Sequence, residues 1–268
     1  MLRLAIAGCS GRMGIALIHA ALASEGIKLT AATVSAHNPL KNTDVGTIAK
    51  VTPLEFKPVD DLSLVRDNFD TLIDFTTPEA TMANLKVCQR YGKKMVIGTT
   101  GFNGEQKALI QEMSQELAIV FSPNMSIGVN LCFELLKQAA KVLGESVDIE
   151  IIEAHHRHKV DAPSGTALKM GEVICDVLDR NLEKVAIYDR NGITAPRERQ
   201  TIGFSTIRAG DIVGEHTVMF AADGERVEIS HRASSRNGFA MGAIRAAKWL
   251  ESKKEGLYSM ADVLFEKP

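Results

Sequence analysis

The first apolar stretch, Leu2 to Ala7, is almost unbroken and carries one charge. After Gly8-Cys9-Ser10-Gly11-Arg12-Met13-Gly14 the apolar positions change to helical spacing, through Ile15, Ile18, Leu22 and Ala23. That change of period predicts strand, glycine turn, helix. The alternation continues, with strands expected at Leu29 to Val34, Thr71 to Phe75, Met95 to Ile97 and Leu117 to Phe121, and helical segments after Pro78 and Gly104. Short apolar strands separated by helical runs build βαβ units. The first 125 residues therefore predict a parallel sheet wound on both faces, a Rossmann-type lobe.

Beyond a helical run from Ile127 to Leu143 the pattern differs. Asp148 to His156, Thr201 to Ala209, Ile212 to Ala221 and Arg226 to His231 are strand-like with few helices between them, which favours a mixed or antiparallel sheet. One helix is expected where Ser164-Gly165-Thr166 opens the periodic run Ala167, Leu168, Met170, Gly171, Val173, Ile174. Phe239 to Leu250 returns to helix and is expected to fold back on the first lobe. Arg190 to Gln200, with Gly192, Pro196 and three arginines, reads as a mobile loop. The fold expected is α/β: a Rossmann-type wound parallel sheet in residues 1–126 and 236–268, and a second α+β domain with a mixed sheet in 127–235. A length of 268 residues suits two domains, with one large α/β domain as the alternative.

Charge removes some functions from consideration. Lys plus Arg number 31 against 33 Asp plus Glu, so no global field attracts nucleic acid or an anionic membrane, and any basic site must be local. Cys9, Cys88, Cys132 and Cys175 stand far apart with no Cys-x-x-Cys pair, which fits reduced thiols in a cytoplasm. No apolar run has the length of a signal peptide core or a membrane span, so a soluble protein is expected.

Gly8, Gly11 and Gly14 follow the first strand at the spacing by which a dinucleotide pyrophosphate approaches backbone N–H groups at a helix start. The acidic residue that would bond an adenosine ribose is expected at the end of the second strand, where this chain has Val34-Ser35-Ala36-His37. With no carboxylate there, and Ser35, His37 and Lys41 nearby, NADPH is favoured, although a solvated loop accepting NADPH or NADH fits too. Gly98-Thr99-Thr100-Gly101 and Ser122-Pro123-Asn124-Met125 follow the fourth and fifth strands, where loops of a wound sheet reach a nicotinamide. Ordinary turn chemistry explains either loop alone; both together with the glycine turn point to a cofactor.

The densest chemistry lies in Ala154-His-His-Arg-His-Lys-Val-Asp-Ala-Pro-Ser-Gly-Thr-Ala167. His155, His156 and His158 titrate near neutrality, Arg157 and Lys159 are cations, and the helix start at Ser164, Gly165 and Thr166 favours a carboxylate. A dianionic ligand suits this segment. Three imidazoles also suggest zinc. On an extended strand, however, His155 and Arg157 point to one face and His156 and His158 to the other, and the neighbouring cations repel a metal, so none is expected. His158 is assigned a structural role. Glu150 and Glu153 read as exposed strand charges, with orientation of an imidazole as the alternative. Arg236 fits either a cap or hinge or a basic pocket.

These segments together resemble the 4-hydroxy-tetrahydrodipicolinate (dihydrodipicolinate) reductase family over essentially the full length. The resemblance rests on Ala-Gly-Cys-Ser-Gly-Arg-Met-Gly at 7–14, Ile-Asp-Phe-Thr at 73–76, Val-Ile-Gly-Thr-Thr-Gly-Phe at 96–102, the block from Glu153 to Ala167, Arg208 to Thr217, and Ala-Ser-Ser-Arg at 233–236. It implies a homotetramer whose second domain binds substrate and makes the oligomer contacts, with hydride passing from NAD(P)H to ring C4 of a cyclic dicarboxylate. It further implies that Gly8 to Met13 bind pyrophosphate and that Gly98 to Thr100 with Ser122 to Met125 line the nicotinamide. His155 and Lys159 would handle protons, while His156, Gly165 and Thr166 would hold carboxylates. Val34 and Ser35 depart from the acidic residue, often followed by arginine, of many relatives, and Met125 from an aromatic, which bears on nucleotide preference. A nucleotide-sensing protein without turnover and a metal-dependent hydrolase are the competing readings.

Overall fold

Parallel strands form where the short apolar runs are. The computed structural model describes residues 1–265. Its chain opens with β1 (Leu2–Ala7), α1 (Arg12–Leu22) and β2 (Ile27–Ala32), followed by a single turn, α2 (Val45–Ile48). Next come β3 (Thr71–Asp74), α3 (Pro78–Arg90), β4 (Lys94–Ile97), α4 (Gly104–Met113) and β5 (Ala118–Phe121). Local signals fix the helix starts: Thr77 caps α3 ahead of Pro78, and Asn103 with Gln106 forms a capping box on α4. β2 begins earlier than expected and ends at Ala32, so Thr33 and Val34 lie beyond it. Strands β1 to β5 pair in parallel in the order β5-β4-β3-β1-β2. Leu4, Ile6, Ile73, Val96 and Val120 face one core, and Ala5, Leu72, Met95, Ile97 and Ile119 face another with Leu85 and Ile110. Burial on both faces explains why these strands read as continuous apolar runs rather than alternating ones.

The long helix α5 (Ile127–Leu143) leads into β6 (Asp148–His155), α6 (Gly165–Val177), the single turn α7 (Leu182–Val185) and β7 (Ala186–Ile187). β8 (Ile202–Arg208), β9 (Gly214–Ala221) and β10 (Arg226–Ala233) follow. The sheet order is β10-β9-β6-β8-β7, with β6 parallel to β8 and antiparallel to β9, so the second sheet is mixed. Register decides which residues meet. Ile149 and Ile151 of β6, Ile202 and Phe204 of β8, and Val218 and Phe220 of β9 share the face covered by Leu136 of α5 and Met170, Val173 and Ile174 of α6. By the same period of two, Glu153, His155, Arg208 and His216 continue that face toward the carboxyl end of β6. The opposite face carries Ile152, Ile207 and Met219, with Ile207 47% exposed. Arg190 and Arg197, from the segment without regular structure before β8, bond Glu150.

The chain then returns to the first sheet. α8 (Asn237–Trp249) buries Ala240, Ala243, Ile244 and Ala247 against the α1 side, β11 (Gly256–Tyr258) adds a parallel strand beside β5, and α9 (Met260–Phe265) follows. α8 packs in the first unit, a placement that its apolar spacing alone does not establish. β11 was not anticipated, because three residues give too short a pattern. The chain divides into two compact units, Met1–Ile127 with the chain from Arg236 onward, and Gly128–Ser235. Residues 266–268, expected to close the nucleotide domain, lie outside the described residues.

Candidate active site

In the first unit β1 stands between β2 and β3, the point at which the winding of the sheet reverses, and its carboxyl end opens into the glycine turn. Gly8 has φ +64°, and a Cβ there would lie 2.8 Å from Thr76 Cγ2. Gly14 lies against the Gly8 carbonyl and the Cys9 backbone with no space for a side chain. Both glycines are thus required by geometry. Gly11 caps α1 without any side-chain bond, which leaves the first amides of the helix for an external acceptor, and Gly11 and Arg12 are exposed. This turn fits the pyrophosphate of a dinucleotide.

The neighbouring loops contribute mainly backbone. Cys9 is fully buried, its thiol pushed up to about 11 by burial. The Thr99 hydroxyl accepts from Thr81 at 2.9 Å, and Gly98 lies on the Phe75 ring. Ser122 Oγ donates to Asn124 O at 2.9 Å, and Met125 is buried with Ala240 and Ala243. Cys9, Thr99 and Met125 therefore present no side chain to a ligand, whereas Thr100 and Pro123 are exposed. Ser35 is exposed in the loop after β2, which Asn38 ties to the glycine turn through a 3.0 Å bond to Ser10 Oγ. Lys41 pairs with Asp60 instead of standing free. Asp74, fully buried, holds the loop beside Gly8 by accepting from Thr76 N, Thr76 Oγ1 and Asn84 Nδ2.

The second unit assembles the titratable groups around Glu153, which is 1% exposed and has its oxygens saturated. Oε2 accepts from His155 Nδ1 at 2.6 Å and Arg208 Nη1 at 2.8 Å, while Oε1 accepts from Arg208 Nη2 at 2.8 Å and Ser164 N at 3.0 Å. Burial works to raise the Glu153 carboxyl, but the bonds from Arg208 and His155 outweigh it and hold it below its ordinary value. His155 is lowered by burial, against the pull of Glu153. His216 packs edge-on against His155 with ring centroids 5.1 Å apart, and its Nε2 lies 2.9 Å from Ser164 Oγ. Burial, with His155 alongside, pushes His216 down to about 4. Ser164 Oγ in turn caps α6 by accepting from Ala167 N. Lys159 Nζ bonds both oxygens of Asp161 at 2.8 Å, and the Asp161 carbonyl accepts from Arg208. Sheet, connecting loop and helix start are locked together.

Two expectations change. The strand ends at His155, and residues 156–159 turn, with Lys159 N donating to His156 O, so the alternation assumed for the later histidines does not apply. His156 and His158 instead lie with rings 6.3 Å apart, and His158 is exposed. Glu153 is no exposed strand charge, and Glu150 is bonded by two arginines. Among the described residues no three His, Cys, Asp or Glu side chains gather as metal ligands. Arg236 occupies the N-cap of α8, its carbonyl accepting from Phe239 and Ala240. Sequence reasoning gave no role to Arg208 or His216. The available signal was a charged or titratable residue on the apolar parity of a strand, as His216 is with Val218 and Phe220.

A glycine turn at the switch point of a parallel sheet, on a chain whose second sheet buries a histidine against a carboxylate, fits a nicotinamide-nucleotide-dependent oxidoreductase. Family models described as dihydrodipicolinate reductase, N-terminus and C-terminus, match residues 2–125 and 128–264. The 4-hydroxy-tetrahydrodipicolinate reductase of Methylococcus capsulatus is 57% identical over 264 residues, 98% of either chain. Among solved structures, a dipicolinate-bound dihydrodipicolinate reductase from Paenisporosarcina sp. TG-14 superposes with a TM-score of 0.76 at 27% identity, covering 98% of both chains. An oxidoreductase from Agrobacterium radiobacter in complex with NAD+, L-tartaric acid and magnesium shares the fold, with a TM-score of 0.61 at 12% identity over 98% of this chain and 92% of that one. The chain belongs to the dihydrodipicolinate reductase family.

Proposed function

We propose that the chain reduces 4-hydroxy-tetrahydrodipicolinate to tetrahydrodipicolinate with NADPH or NADH, the step of the diaminopimelate route to lysine implied by its family. One hydride enters at ring C4, one proton is taken up, and the 4-hydroxyl leaves as water. The bound nicotinamide supplies the hydride. The rest is the work of the chain: the glycine turn from Gly8 to Met13 holds the pyrophosphate, and residues 98–100 and 122–125 line the ring, Thr99 and Met125 by backbone alone.

The observation that carries the reading is the buried Glu153–His155–Arg208 set placed beside the N-terminus of α6. His156, Gly165 and Thr166 hold the substrate carboxylates there, since helix-start amides favour anions, whereas Ser164, expected to join them, is buried and commits its N–H to Glu153 and its hydroxyl to His216 and Ala167 N. His155 and Lys159 hold and move the proton, at Nε2 and Nζ respectively, which offsets negative charge as hydride adds. Lys159 exchanges Asp161 for the ligand. The nucleotide domain comprises 1–126 and 236–268, and 127–235 binds substrate and forms a homotetramer through the sheet face opposite its helices. Four buried free cysteines suit a reducing cytoplasm, and no described helix is long and apolar enough to cross a membrane.

Steady-state oxidation of NADPH and of NADH in the presence of the substrate tests this directly. Lys159→Ala is expected to lower kcat/KM by roughly 10²- to 10⁴-fold with NADPH affinity unchanged. Nucleotide binding without turnover in the wild type would leave only a sensor.

A further inference from the structure

We propose that Glu153 is a positioning residue of this reaction: its carboxylate keeps the proton of neutral His155 on Nδ1, so that Nε2 is the atom that exchanges protons with the substrate. The inference rests on the function proposed above and assigns a role to a residue that does not itself touch the ring.

Hydrogen-bond capacity decides where the proton sits. An ionised carboxylate can only accept, and Glu153 is ionised because Arg208 grips it through two 2.8 Å bonds. The 2.6 Å contact with His155 Nδ1 therefore places the hydrogen on that nitrogen. Nε2 is left as a lone pair in the neutral ring and as a donor once protonated. Across the sheet, Nε2 lies beside Gly214, where a Cβ would come within 3.0 Å of it, so the glycine keeps the approach to that nitrogen free of a side chain.

Glu153 also links two loops to the imidazole. Its Oε1 accepts from Ser164 N at the cap of α6, and its partner Arg208 donates to the Asp161 carbonyl at 2.6 Å. The ring that moves the proton and the helix start that holds the carboxylates are thus referenced to one buried group. The charged and titratable groups facing His155 are Glu153 from β6, Arg208 from β8, His216 from β9 and Lys159 from the turn.

Glu153→Gln is the discriminating substitution. Its amide oxygen fits the Oε1 position, which receives the Ser164 amide and Arg208 Nη2, and this turns the NH2 toward His155 with loss of the Arg208 Nη1 bond. That NH2 donates to Nδ1 and moves the ring hydrogen to Nε2. Nitrogen chemical shifts of the histidine rings report the tautomer, with His155→Asn as the assignment control. Expected results are a protonated Nδ1 in the neutral wild type and a protonated Nε2 in the variant. With it, kcat is expected to fall roughly 10²- to 10⁴-fold, as when the carboxylate that fixes a proton-transferring histidine is replaced by an amide. KM and NADPH affinity should change little. The limb of the kcat/KM profile that reports the imidazolium should move to lower pH, because the carboxylate that favours the charged ring is gone.

A wild-type ring carrying its hydrogen on Nε2 would overturn the assignment, as would Glu153→Gln turning over at the wild-type rate with an unmoved pH profile. If the variant does not fold, the wild-type tautomer alone decides. Wild-type protein that never oxidises NADPH with the substrate would sink the proposed reaction, and the tautomer measurement would still stand by itself.

Discussion

His216 shows how one buried side chain writes itself into the stability of the whole domain. Its imidazole is 5% exposed and, with Ser164 on Nε2, has no partner for Nδ1 among the described residues. Burial therefore lowers it from 6.5 to about 4. Above the unfolded value both states are neutral and the ring costs nothing. Below 6.5 the unfolded chain takes up a proton that the folded one refuses until about 4, so stability is lost as pH falls through that window. A shift of that size amounts to roughly 3 kcal/mol at its limit. His155 and His231 are lowered as well and add in the same direction. Thermal midpoints between pH 7 and pH 4.5 should fall for the wild type and fall less steeply for His216→Gln. An equally steep fall in the variant would mean that the ring is already charged in the folded state.

Elements meet by close approach at their glycines. In α1 the Gly14 position has the Gly8 carbonyl and Cys9 backbone where a side chain would go, so helix and turn are held at a distance that only glycine permits. Gly14→Ala must push α1 away from the turn, with an expected cost of about 1–3 kcal/mol. It should also weaken NADPH binding, because the same displacement moves the amides after Gly11. Denaturant melts and a nucleotide titration measure the two effects, and unchanged affinity would separate the turn from the cofactor. This first unit was largely legible in the sequence, since parallel strands buried on both faces appear as apolar runs and the caps at Thr77 and Asn103 are local. The turn after His155 was not, because Lys159 N bonding His156 O and Arg157 N bonding Gly210 O depend on a distant loop. The partnership of Glu153 with Arg208 and His216 was hidden for a similar reason: it follows from pairing β6 with β8 on one side and β9 on the other, and a single strand does not disclose its neighbours.

At the scale of the molecule, the mixed sheet has two unlike faces. One is filled by α5 and α6 and ends in the charged set. The other presents Ile152, Ile207 and Met219 within a border that includes Glu150, Glu215, Glu228 and Arg232, an apolar centre with a polar rim of the kind that self-association covers. The proposed homotetramer uses this face, and Ile207 is its most direct probe because its side chain is 47% exposed within one chain. A lysine there would bring an ammonium into each copy of the contact and, around a symmetry axis, set like charges against one another. Sedimentation should give the wild type about four times the 29.1 kDa chain mass, and Ile207→Lys a smaller species. NADPH affinity should persist, since the glycine turn belongs to the other unit. Wild-type protein that sediments as a monomer at assay concentration would remove the assembly from the proposal and leave the chemistry at Glu153 and His155 to be judged within a single chain.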